Sequence, residues 1–88
     1  MKLFTLLLLT ISLNSHSQTS IEYYNRGNSK ANSNDYRGAI ANYTKAIELN
    51  SQNAEAFYNR GIVKDNIEDY QGALVDYIVW IHTIYIKK

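Results

Sequence analysis

The chain repeats itself with a period of 34 residues, and this constrains its fold more than any other feature. Sliding the sequence by 34 positions brings Tyr24, Asn25, Arg26 and Gly27 onto Tyr58, Asn59, Arg60 and Gly61. The same shift matches Lys30, Asn32, Asp35, Tyr36, Gly38, Ala39, Tyr43 and Ile47 with Lys64, Asn66, Asp69, Tyr70, Gly72, Ala73, Tyr77 and Ile81. Tyr23/Phe57, Ile40/Leu74 and Asn42/Asp76 are conservative pairs. A period of this size marks stacked supersecondary units.

Each unit divides into two helical stretches. The first runs from Ile21 to about Ser33 and the second from Tyr36 to Leu49. The second places Ala39, Ile40, Tyr43, Ala46 and Ile47 on one side, a helical spacing and not a strand spacing. Asn34 suits the left-handed residue that ends a helix, and Asp35 suits the N-cap of the next. Asn50 to Asn53 read as a polar turn with Asn53 as a cap. Ala54 to Ile67 and Tyr70 onward repeat the pair, with Glu68 and Asp69 expected to cap at their turn. Turns this short force neighbouring helices to be antiparallel. The fold class expected is all-α: two tandem antiparallel helix-turn-helix repeats forming a short α-solenoid.

Small residues at fixed places explain how such helices meet. Gly27 and Gly61 fall inside helices, where glycine costs about 1 kcal/mol relative to alanine. A position without a side chain admits a partner helix closely, as do Ala39, Ala46 and Ala73. Tyr23, Phe57, Tyr36, Tyr70, Tyr43 and Tyr77 fill the remaining gaps as core aromatics. Arg26 and Arg60 are expected to lay their stems over apolar surface with their heads in water.

Residues 1–18 read as an address. Lys2 precedes an apolar run from Leu3 to Leu13, too short for the roughly 20 residues of a spanning helix but suited to a signal-peptide core. Ser15 and Ser17 are spaced like a cleavage site, which places the cut between Ser17 and Gln18. The expected organisation is a signal peptide at 1–17 and a repeat domain at 18–88, with repeat 1 at 20–53 and repeat 2 at 54–87. An uncleaved anchor, or an apolar helix folded into the core, is the competing reading. The chain has no cysteine. That removes disulfides and a lipid-modified N-terminus, and it is compatible with an oxidising compartment.

The 34-residue period, the aromatic four residues before each glycine and the aspartate–tyrosine pair before a small-residue helix together resemble the tetratricopeptide repeat. YYNRG, NDYRGAIANYTKAIELN, FYNRG and EDYQGALVDY are similar to bacterial, exported members of that family. The resemblance covers residues 20–53 and 54–77 and fails after Tyr77. Ser51 stands where the family has proline, and Lys30 and Lys64 stand where it has an aromatic, which implies weaker local packing. The resemblance implies a concave face lined by the first helix of each repeat, where family members bind peptides or partner proteins without chemistry. On that face it places Tyr24, Asn25, Asn28, Tyr58, Asn59, Ile62 and Asn66. Asn25 and Asn59 are similar to asparagines that grip peptide backbone in the family. A carboxamide offers donors and an acceptor and can pair with a peptide group whatever its side chain. Glu55 and Asp65 would add negative charge, and the basic clamp that some members use for C-terminal carboxylates is not evident.

The end of the second repeat departs from the pattern. YIVWIHTIYIKK, from Tyr77 to Lys88, is apolar on all sides, and Trp80 stands where repeat 1 has Ala46. Terminal repeats normally have a polar outer face. Three readings compete: a homo-oligomer contact through Trp80, Ile81 and Ile84; a membrane contact aided by Lys87 and Lys88, too short to span; or a truncated fragment of a longer array, since such arrays usually need at least three units.

Other function classes find little support. Net charge is +1, with no basic patch for nucleic acid. His16 and His82 are the only histidines, no metal-ligand spacing occurs, and no nucleophile–base set is visible. The expected protein is a non-catalytic scaffold without cofactor that binds a protein or peptide after export to the periplasm or beyond. A self-assembling structural unit is the alternative.

Overall fold

The end of each first helix is decided by one residue of left-handed backbone. The computed structural model describes residues 19–86, so the expected signal peptide lies outside the described residues. Among these are four helices and no strand: α1 (residues 19–32), α2 (Tyr36–Leu49), α3 (Ala54–Asn66) and α4 (Tyr70–Ile86). After α1, Asn34 adopts φ 64°. Its N–H donates to Ala31 O at 3.0 Å and that of Asp35 to Lys30 O at 2.8 Å, which satisfies two carbonyls at the helix end. Asp35 then caps α2, accepting from the Gly38 N–H at 3.0 Å. Asn53 caps α3 in the same way through Ala56.

The second hairpin repeats this turn bond for bond. Asp69 N–H donates to Lys64 O at 2.8 Å and Glu68 N–H to Asp65 O at 3.0 Å. Asp69 caps α4 through the Gly72 N–H. The capping role expected of Glu68 is corrected: it holds the left-handed position at φ 65°, where repeat 1 has asparagine.

Within each hairpin a tyrosine of the second helix presses on a glycine of the first. A methyl group on Gly27 would lie 2.5 Å from Tyr43 Cε1, and one on Gly61 would lie 2.7 Å from Tyr77 Cε1. Tyr24 packs beside Tyr43, and Tyr58 beside Tyr77, with ring centroids 5.9 Å apart in both cases. Ser20 closes the far end of the first hairpin, its buried hydroxyl donating to Ala46 O at 2.8 Å.

The core between hairpins is small: Ala39, Tyr43 and Val63 are buried together, with Tyr24, Ala31, Tyr36 and Ile40 packed around them. The other buried apolar residues described are Ala46, Ala56 and Ala73, and side chains so small supply little hydrophobic stabilisation per residue. Polar pinning supplements it. The Asp76 carboxylate is buried, at 1% exposure. It accepts from Arg60 Nε and Nη2 at 2.8 Å each and lies 3.2 Å from Lys64 Nζ. Arg60 Nη1 also donates to Thr44 Oγ1 at 3.0 Å, so one guanidinium ties α2, α3 and α4.

This corrects the expected solvated head of Arg60. It also corrects the reading of Lys64 as a packing defect, since its ammonium lies against the buried carboxylate. Arg26 behaves as expected: its pairing with Glu22, at 3.8 Å, is exposed, and its head lies over the Tyr23 ring. The difference traces to one residue, because the Asp76 position is Asn42 in repeat 1, whose amide donates to Gly38 O.

Candidate functional site: the groove between the first helices

Stacking the hairpins sets α1 and α3 side by side, and the surface between them is a groove crossed by one polar rung. Asn59 Nδ2, on α3, donates to Tyr24 OH at 3.0 Å and to Asn28 Oδ1 at 3.1 Å, both on α1. Asn28 Oδ1 also accepts a short hydrogen bond from Tyr43 OH. The Tyr43 hydroxyl is pushed above its ordinary pKa by burial first and by neighbouring Tyr24 second. It therefore stays a proton donor across the physiological range.

A depression opens on each side of the rung. Towards the helix C-termini lies one of about 380 Å³, lined by Asn28, Ala31, Asn32, Tyr43, Asn59, Ile62 and Val63. No charged residue is among them. Towards the N-termini lies one of about 390 Å³, whose lining includes Tyr24, Asn25, Gln52 and Glu55.

Of the residues expected on the concave face, Asn28, Asn59 and Ile62 meet in the first depression, while Tyr24 and Asn25 line the second. Asn25 thus lines the second depression, while Asn59 is part of the rung and borders the first. Tyr58 is turned towards α4, 38% exposed, with its ring 4.5 Å from that of Trp80. Asn66 is exposed at the last turn of α3 and lines neither depression. Asp65 accepts from Tyr77 OH at 2.8 Å and Glu55 borders the second depression. Sequence reasoning assigned Tyr43 to the core alone. Its ring is core, but its hydroxyl reaches the groove, and the signal was its spacing of 16 residues from Gly27, one hairpin across.

The rung consumes only half of each carboxamide. Among the described residues, Asn28 Nδ2 and Asn59 Oδ1 have no hydrogen-bond partner in the chain. One donor and one acceptor are therefore held in place at the depression. The network fixes the orientation of Asn28, because its Oδ1 receives two donors.

Residues 27–64, from the middle of α1 to the end of α3, match the family model described as TPR repeat. The matched segment is similar to tetratricopeptide-repeat sequence. This match supports a tetratricopeptide-repeat protein, and the all-α pairs of antiparallel helices are the arrangement such repeats form. Tetratricopeptide repeats generally mediate protein–protein interaction and generally serve as non-catalytic scaffolds. No curated protein matches the chain. Among the described residues no group of histidine, aspartate or glutamate could hold a metal ion, and no helix is long and apolar enough to cross a membrane.

Proposed function

We propose that the α1/α3 groove binds an extended peptide segment of a partner protein, with Asn28 and Asn59 gripping one peptide group of that segment. The observation that carries this reading is the pair of unused carboxamide valences, Asn28 Nδ2 and Asn59 Oδ1, at one uncharged depression. A peptide C=O accepts from the first and a peptide N–H donates to the second. Each such bond has a modest net value of about 0.5–1.5 kcal/mol. The lining beside them, Ala31, Ile62 and Val63, favours a small or aliphatic side chain over a charged one.

Panning the immobilised chain against a random peptide library tests this. Enrichment of uncharged, aliphatic-containing peptides by the native chain is expected. The Asn28→Ala, Asn59→Ala double variant should lose that enrichment while keeping its helical circular dichroism. Equal enrichment by the two proteins overturns the groove mechanism.

Export is part of the same reading and rests on Lys2, the Leu3–Leu13 run, Ser15 and Ser17. Expression behind the chain's own N-terminus in a bacterium, followed by mass measurement of the periplasmic product, should give a chain beginning at Gln18. A cytoplasmic, full-length product excludes it.

A further inference from the structure

The side of α4 turned away from α3 carries Tyr70, Leu74, Ile78, Ile81 and Tyr85. Spacings of four, four, three and four hold these residues within an arc of about 80° at 100° per residue. Their exposures are 63%, 59%, 56%, 45% and 69%. The one Asp, Glu, Lys or Arg of α4 is Asp76, which is buried, so the stripe carries none of these charges.

The repeat shows what this face is built like. One period earlier, its positions are Tyr36, Ile40, Thr44 and Ile47 on α2. There the first three form the seam to α3: Tyr36 and Ile40 pack against the cluster containing Val63, and Thr44 takes Arg60. The residues that α2 covers with the next helix are left in water by α4.

A second copy is poorly matched to α4 head to tail. The next helix would then be α1, used as α3 is used on α2. The buried Ala56 and the seam residues Arg60 and Val63 of α3 correspond to Glu22, Arg26 and Ser29 on α1. All three are exposed, and Glu22 and Arg26 are paired with each other. The α1 end of the stack is polar where the α4 end is apolar.

The stripe matches itself instead. Read in either direction it runs aromatic, aliphatic, aliphatic, aliphatic, aromatic, and its centre is Ile78. We propose that a second copy of this chain covers α4, the two α4 helices packing antiparallel about a two-fold axis near Ile78. Ile78 then meets the partner's Ile78, Leu74 meets the partner's Ile81, and Tyr70 meets the partner's Tyr85. This is the reciprocal pattern of an isologous interface. Aromatic residues bury about 150–250 Å² each; with the three aliphatic residues and flanking Ile67, Val75 and Ile86, the patch is of the same order as the roughly 800 Å² per partner of a stable dimer. Trp80 and Ile84 lie outside this seam, since Trp80 is held on Tyr58 and Ile84 is half-buried. Of the three residues expected to mediate self-association, Ile81 alone lies on the stripe. The α1/α3 groove plays no part, so loss of peptide binding and loss of the dimer are separate outcomes.

The absence of native cysteine makes the geometry testable. In the full chain, light scattering should give twice the 10.1 kDa chain mass, and Ile78→Glu should halve it without loss of helical signal. Under mild oxidation Ile78→Cys should cross-link, because only positions whose Cα atoms come within about 7 Å can form a disulfide. Leu74→Cys alone should cross-link slowly, and an equimolar mixture with Ile81→Cys should form the mixed dimer. A monomeric mass for the native chain overturns the proposal. So does an association that survives Ile78→Glu, or cross-linking of Ile78→Cys no faster than that of an exposed control, Glu48→Cys.

Discussion

Arg60 holds Asp76 through two bonds of 2.8 Å, fork to fork, although the carboxylate is 1% exposed and its repeat-1 counterpart is an uncharged asparagine. A buried ion pair does not by itself raise stability, because desolvation offsets the attraction. What it does is make each partner indispensable once the other is present.

Removing one partner should therefore be far more costly than removing the exposed arginine of the other repeat. Arg60→Ala leaves Asp76 buried with Lys64 alone, and such breaks cost about 3–5 kcal/mol. That is comparable with the whole stability expected of a domain this small, at about 0.05–0.15 kcal/mol per residue. Arg26→Ala, at an exposed site, should change stability by no more than about 0.5 kcal/mol. Urea titration followed at the helical circular dichroism band checks the contrast, and equal effects would show that the Asp76 site is well hydrated.

Glu68 should be improved by borrowing from repeat 1. It holds φ 65° where Asn34 holds φ 64°. Left-handed backbone costs an ordinary L-residue about 1–2 kcal/mol, and asparagine relieves part of this through its short polar side chain. Glu68→Asn should gain about 0.5–1 kcal/mol. A domain of this size would then melt about 2–8 °C higher. Asn34→Glu should lose a similar amount. A thermal melt in which both variants move the same way would refute the account.

The elements whose meaning lies in the chain's local pattern were legible from sequence. Asn34, Asp35 and Asn53 take the end and cap positions their chemistry suggests, and Gly27 and Gly61 admit Tyr43 and Tyr77. What could not be read depended on the angle at which one hairpin meets the next. Period and identity align Asn25 with Asn59, yet Asn59 forms the rung to Tyr24 and Asn28 whereas Asn25 lines the depression towards the N-termini. Asp76 was visible only as a conservative change from Asn42. That it is buried, and that Arg60 and Lys64 turn inward to meet it, follows from the packing of α4 on α3. Trp80 is the largest side chain of the last helix, but its ring folds onto Tyr58 and leaves Tyr70, Leu74, Ile78, Ile81 and Tyr85 to form the exposed stripe.

The two glycines beneath tyrosine rings should resist the usual gain from alanine in a helix. Gly27→Ala relieves about 1 kcal/mol of helix propensity. It also sets a methyl group 2.5 Å from Tyr43 Cε1, inside van der Waals contact. Overpacking of this kind costs about 1–3 kcal/mol, so the net effect should be destabilising. Moving Tyr43 would also disturb its bond to Asn28, so Gly27→Ala should weaken peptide binding as well. The double variant Gly27→Ala, Tyr43→Leu should recover part of the stability but not the binding. Recovery of both would show that the Tyr43 hydroxyl is dispensable to the groove.

Alkaline titration should single out Tyr77. Burial first, and its bond to Asp65 second, raise its pKa from 10.0 to about 12. The folded state therefore keeps its proton where the unfolded chain has begun to lose it. Stability rises with pH only where the unfolded state binds more protons; here it binds fewer, so stability must fall. The contribution is complete below pH 10 and is lost progressively as pH rises towards about 12. Tyr77→Phe cannot ionise and should lack this component. It gives up the Asp65 bond, so it should be the less stable protein below pH 10, and its deficit should shrink as pH approaches 12. Tyr43, raised in the same direction, contributes equally to both proteins and cancels in the difference. Urea midpoints of the two proteins, measured in parallel across this range, give that difference directly. A deficit that stays constant with pH would mean that the Tyr77 hydroxyl titrates alike in the folded and unfolded chains, and that its bond to Asp65 does not persist in solution.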